Sequence, residues 1–199
     1  MPTPAEHLDL SKHDALVVVD VQNDFLRRGT LPVPMGEEVI APLNVYVQLF
    51  HDRHLTIVAT RDWHPHDHCS FVEQGGPWPA HCRRGTFGAR FPNDLILPND
   101  ILVIDKATES SVEDFSGFSS TDMDPKFRDR GIERFFVGGL ATEYCVLHTV
   151  LDGLHLGYRI VVLEDAIRAI NLRPEDGAEA CEAMRRAGVL FARVEDFNA

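Results

Sequence analysis

The 199-residue sequence predicts an α/β fold, a parallel sheet covered by helices on both faces. Three observations lead there. Six short runs are apolar throughout, as strands buried under helices on two sides are. Amphipathic stretches with helical spacing separate most of them. The runs end in charged residues or glycines, and the carboxyl ends of parallel strands are where such sheets carry their sites.

The elements follow in order. ALVVVDV (15–21) is the first strand and carries Asp20 at its end. EEVIAPLNVYVQLFHDR (37–53) is a helix with Pro42 near its first turns. LTIVATRD (55–62) is the second strand and ends on Asp62. DILVIDK (100–106) is the third and ends on Asp105 and Lys106. DPKFRDRG (124–131) is a short helix stopped by glycine, and RFFVGGL (134–140) is the fourth strand. TEYCVLHTVLDGLHLG (142–157) places Val146, Leu147, Val150, Leu151 and Leu154 on one helical face, with Gly157 as the stop. YRIVVLED (158–165) is the fifth strand. PEDGAEACEAMRRAG (174–188) opens with proline and acids and closes on arginines and glycine, as the helix dipole favours. GVLFARVED (188–196) is the sixth strand.

Composition narrows the class. A net charge of −12 repels nucleic acid and favours a small-molecule ligand. No apolar run is long enough to span a bilayer. The opening MPTPAEHLDLSKHD lacks the basic-then-apolar layout of a signal peptide, so a cytoplasmic location is expected. No repeat, linker or low-complexity run divides the chain, so 1–199 reads as one domain. Cys69, Cys82, Cys145 and Cys181 show no disulfide or CxxC spacing, and Cys181 in particular reads as a buried thiol.

If the strands are parallel, Asp20, Asp62, Lys106 and Cys145 share one rim. With Thr142 as N-cap, Cys145 sits in a first helical turn, where free N–H groups lower a thiol's pKa. Asp20 and Lys106 then supply base and cation to a thiolate nucleophile. The glycines and Ala141 let backbone N–H groups face a developing oxyanion. Position alone is equally compatible with Cys145 as a small buried helix residue; its joint placement with Asp20 and Lys106 favours chemistry. Four of the ten histidines and both tryptophans fall between Arg61 and Cys82. Asp62 and His64, two apart at a strand exit, can point to one side. With His68 or His81 they form a mixed nitrogen and oxygen set suited to zinc, iron or manganese. His66 reads as a solvated loop residue. Phe25 and Trp78 can form a slot for a flat ring, or simply pack against the loop.

Together, DVQNDF (20–25), RDWHPxDHxSF (61–71), GGPWPAHC (75–82), GTFGARF (85–91), the lysine of DKATES, DFSGF (114–118) and GGLATEYCV (138–146) resemble the nicotinamidase/pyrazinamidase branch of the isochorismatase-like hydrolases. The motifs appear in the family's order from about Leu16 to Val162. The resemblance implies a three-layer, doubly wound, six-stranded parallel sheet, the isochorismatase-like hydrolase fold. It implies a catalytic triad of Cys145, Asp20 and Lys106, and one divalent metal ion held by Asp62, His64 and His81, with His68 as a candidate fourth ligand. It implies a cis peptide before Ala141 and an oxyanion hole of the Ala141 and Cys145 N–H groups. The implied activity is hydrolysis of nicotinamide, and of pyrazinamide, in NAD salvage, with Phe25 and Trp78 holding the ring. A homo-oligomer is also implied, and neither nucleic acid nor membrane is an expected partner. Ala107 replaces a frequent glycine and Phe115 a frequent tyrosine, so the pocket wall departs from the pattern. The nearest rival is a ureide or other amide hydrolase with the same triad. An aspartyl-phosphate enzyme would want a second acid at Gln22, and a closed structural zinc site would leave Cys145 unexplained.

Overall fold

The computed structural model describes residues 8–197, so the first seven residues of the opening segment lie outside it. Six strands form one all-parallel sheet: β1 (Asp14–Val19), β2 (Thr56–Asp62), β3 (Leu102–Lys106), β4 (Arg134–Leu140), β5 (Arg159–Arg168) and β6 (Leu190–Ala192). Their order is β3-β2-β1-β4-β5-β6. The chain winds outward from β1 to β3, returns to the centre, and winds outward again from β4 to β6. The switch point lies between β1 and β4, where ligand crevices form in such sheets.

Alternation along β1 sets the three layers. Leu16 and Val18 face a core with helix α1 (Ile40–Asp52), through Leu43, Tyr46, Val47 and Phe50. Ala15, Val17 and Val19 face a second core. There they meet α2 (Met123–Asp129), α3 (Leu147–His155) and α4 (Asp176–Arg186) through Phe127, Val150 and Met184. All six β1 residues are buried, as the unbroken apolar run requires. Among the described residues, no helix is long and apolar enough to cross a membrane.

Three details differ from expectation. Pro42 is the third residue of α1, and a 3-10 turn at Gly36–Val39 leads into the helix. The proline's missing N–H falls where the helix has no partner for it. The helix after β4 opens as a π turn, Thr142–Val146, before α3. Ala141, not Thr142, holds the position before that turn, and no side chain caps it. Cys181 is only half-buried, packed at the edge of the second core, and all four cysteines are free.

Candidate active site

The carboxyl edge of the sheet brings the strand-end residues together. Asp20 follows β1, Asp62 and Lys106 end β2 and β3, and Cys145 lies in the π turn after β4. All four are buried, with Asp20 fully so. Lys106 Nζ stands at the centre. It lies 3.4 Å from Cys145 Sγ, 3.0 Å from Asp20 Oδ2, 2.5 Å from Asp62 Oδ1 and 3.2 Å from the Asp114 carbonyl oxygen. A buried ammonium needs such partners, and the two carboxylates hold Lys106 well above the ordinary lysine range although burial opposes them.

Thr60 Oγ1 donates to Asp20 Oδ1 at 2.6 Å. Asp20 Oδ2 is close to Lys106 but off the line of a hydrogen bond, so this oxygen is unsatisfied among the described residues. Burial pushes the Asp20 carboxyl up against the opposing Lys106 charge. The Cys145 thiol is also pushed well up, by burial first and by Asp20 and Asp62, with Lys106 opposing. The lowering expected from a helix end is thus opposed here by burial, which pushes the thiol up.

The second cluster adjoins the first through Asp62. His64 Nδ1 donates to Ala107 O at 3.1 Å, and His81 Nδ1 to Pro79 O at 2.8 Å. Carbonyls only accept, so each neutral ring keeps its lone pair on Nε2. Those two Nε2 atoms face each other at 3.3 Å, with Asp62 Oδ2 3.7 Å from that of His64. Two lone pairs and a carboxylate converging on one point call for a cation, and donor atoms of all three residues lie within 4.8 Å of one another. The set therefore fits a divalent metal, and the second-sphere carbonyls fix both tautomers. Asp20, Asp62 and Cys145 are also mutually within 4.8 Å, but the Lys106 ammonium already serves that trio.

His68 does not present a nitrogen to this point. Its Nε2 donates to Val112 O at 2.9 Å, and its Nδ1 accepts from the Ser70 hydroxyl at 2.7 Å. Its ring lies behind His64, with centroids 4.1 Å apart. In this arrangement it is a positioning residue rather than a fourth ligand. His66 is exposed, as expected.

A small cavity separates the clusters from solvent. Phe25 and Trp78 line it together with Asp62, His81, Ala141 and Cys145. Phe25 packs on His81 and Trp78 stands edge-on to Tyr144, both buried. Sequence reasoning missed Tyr144, Leu31, Ile170 and Glu113 in this wall. It also missed the supports. Buried Gln22 donates to Asp62 O at 2.8 Å and Ala89 O at 3.0 Å, and accepts from Asp62 N at 2.8 Å. Asp24 accepts from Cys82 N at 2.7 Å and so fixes the loop that presents His81. The signal was present in DVQNDF, whose polar residues follow a buried strand.

Backbone conformation bears on Ala107, read above as replacing a frequent glycine. Asp20, Cys82 and Ala107 have φ of 48°, 44° and 49°, the left-handed region. Glycine is favoured after Lys106 because an alanine there costs roughly 1–2 kcal/mol. Phe115 lines the cavity and packs on Tyr144 at 5.5 Å. The Leu140–Ala141 peptide is cis.

Comparison with known proteins shows the family. The Isochorismatase domain model matches residues 14–196. The Escherichia coli nicotinamidase is 34% identical over 92% of this chain and 96% of its own. The nicotinamidase/pyrazinamidase of Mycobacterium tuberculosis is 34% identical over 88% and 96% of the two chains. The zinc complex of Pyrococcus horikoshii pyrazinamidase superimposes with a TM-score of 0.87, at 45% identity over 91% of this chain and 99% of that one. On the domain match, these identities and the shared fold, the chain belongs to the nicotinamidase/pyrazinamidase branch of the isochorismatase family.

Proposed function

We propose that this chain is a metal-dependent cysteine amidohydrolase that converts nicotinamide, and pyrazinamide, to the acid and ammonia, a step of NAD salvage. The observation that carries this reading is the contact of Lys106 Nζ with both Cys145 Sγ and Asp20, beside an aromatic cavity with a metal-ready trio. The nicotinamidase relatives support the substrate.

Cys145 passes its thiol proton to Asp20 as Sγ attacks the carboxamide carbon. Asp20 is apt for this because burial and the unsatisfied Oδ2 raise its affinity for a proton. Lys106 stays charged and offsets the negative charge as it moves from carboxylate to sulfur. The Ala141 and Cys145 N–H groups receive the oxyanion, a donor pair of which each member is worth about 10²–10³ in rate. Asp20 returns the proton to nitrogen, the C–N bond breaks, and ammonia leaves a Cys145 thioester. Water then loses a proton to Asp20 and attacks; the C–S bond breaks, and Cys145 recovers its proton. Phe25 and Trp78 hold the ring and exclude bulk water. Asp62, His64 and His81 would hold a divalent ion, which would supply Lewis-acid chemistry at the ring.

The test is ammonia release from nicotinamide by wild type and Cys145→Ala, before and after chelation and add-back of zinc, iron or manganese. Wild-type release lost on chelation, and absent from a Cys145→Ala protein that keeps its metal, supports the reading. Substantial turnover by Cys145→Ala ends the thioester. No release from nicotinamide with any metal ends the substrate assignment and turns attention to ureides.

A further inference from the structure

Apart from Asp62, His81 and Cys145, the cavity wall is apolar or aromatic, with one exception. Glu113 lines it too, and the chemistry above does not use it. Glu113 is exposed, whereas Trp78 and Cys145 of the same wall are buried. Its place is therefore the mouth rather than the floor.

The position is held from both sides. The preceding carbonyl, Val112 O, accepts from His68 Nε2 at 2.9 Å. The following carbonyl, Asp114 O, accepts from Lys106 Nζ at 3.2 Å. One tie comes from the histidine behind the metal-ready trio and the other from the triad lysine. A loop residue held this way keeps its Cα at the entrance, within reach of the cavity for its side chain.

Charge at the site gives that placement a consequence. Hydrolysis turns a neutral carboxamide into a carboxylate. Inside the cavity, Lys106 and a bound divalent ion together outweigh Asp20 and Asp62 by one positive charge. Such an interior retains an anionic product. A further carboxylate at the mouth cancels the excess, and it acts on the anion far more than on the neutral amide.

We propose that Glu113 is a specificity-determining residue that disfavours anionic ligands, admitting the neutral amide and weakening the hold on the acid product. The inference rests on the amidase reading for its substrate and product. It predicts that Glu113→Gln, a change at an exposed position, strengthens nicotinate binding by about threefold to tenfold, the scale of one partly screened charge pair.

The experiment is calorimetric titration of metal-loaded wild type and Glu113→Gln at pH 8 with two probes. One is nicotinate. The other is 3-methylpyridine, a neutral ring with no bond to hydrolyse. Tighter nicotinate binding in the variant is expected, with 3-methylpyridine unchanged, metal content equal, and the difference shrinking in 0.5 M salt, as roughly a 4–5 Å screening length requires. The proposal is overturned by an unchanged nicotinate Kd, by equal shifts of both probes, or by metal loss, which would make Glu113 a ligand. A wild type that releases no ammonia from nicotinamide but shows the charge-selective shift overturns the substrate assignment and keeps this one. An active enzyme with an unchanged nicotinate Kd does the reverse.

Discussion

Strand β1 carries a buried aspartate at each end, and the two are built differently. Asp14 opens the strand. Arg134 Nε and Nη2 donate to its two oxygens at 2.7 and 2.8 Å, and Ser11 N adds a third bond at 2.6 Å. Asp20 follows the strand in a left-handed conformation, with one oxygen bonded to Thr60 and the other unsatisfied. Its cation, Lys106, is shared with Asp62 and Cys145. A carboxylate whose acceptors are all used locks an element in place. One whose acceptor is left open, beside a thiol, keeps capacity for a proton.

Mutation separates the two. Asp20→Asn is expected to lower kcat/KM by about 10³-fold or more, because the proton acceptor is gone. Its urea unfolding should shift less than that of Asp14→Asn, since Lys106 keeps Asp62 as a charge partner. Activity within tenfold of wild type, measured as ammonia release, would erase the distinction. Asp14→Asn is expected to behave inversely. It leaves Arg134, only 16% exposed, without its charge partner, at a cost of about 3–5 kcal/mol in urea unfolding. Turnover per folded molecule should be unchanged; a drop would show that the pair also shapes the rim.

Two smaller effects sharpen the contrast on the metal side. His81→Ala should weaken metal binding by more than the roughly 10–100-fold that follows loss of a second-sphere partner, read by competition with a chelating dye. Unchanged affinity would remove His81 from the site. The last effect is on pH. Burial first, against the opposing Asp62 charge, lowers His81 to about 4. In metal-free protein the folded ring stays neutral where the unfolded one, near 6.5, takes a proton. The unfolded state thus binds more protons between pH 6.5 and 4, and stability is lost as pH falls through that window. The expected loss is about 2 kcal/mol by pH 5. A urea midpoint in His81→Ala as steep in pH as wild type would contradict this.

Local pattern made the sheet legible. The strand runs are mostly apolar, and the first three lead into residues whose charge cannot stay buried unpaired, so Asp20, Asp62 and Lys106 could be found one at a time. Their meeting point followed from strand direction. The Thr142 π turn was not legible, because an i to i+5 turn leaves the same apolar spacing as an α turn over five residues. The upward push on Cys145 arises from burial by elements far away in sequence. Tyr144, Leu31 and Ile170 reach one cavity from three separate segments, and no spacing announces that. His68 shared the loop's composition with His64 and His81. Only the conformation of 67–71 showed its nitrogens bonded to Ser70 and Val112.

The connection from β2 to β3 runs through residues 63–101 with no helix longer than the 3-10 turn Val72–Gln74. Both of its ends are anchored in adjacent strands, and Gln22 and Asp24 hold its course from outside. The segment supplies His64, Trp78 and His81, while Asp20, Lys106 and Cys145 come from the sheet and the π turn. Two of the three metal-ready side chains and one aromatic wall residue thus lie on a stretch of chain separate from Asp20, Lys106 and Cys145, while Asp62 and Phe25 lie outside it. A lineage can lengthen or vary that stretch by insertion or drift without resetting the register of the strands that carry the triad.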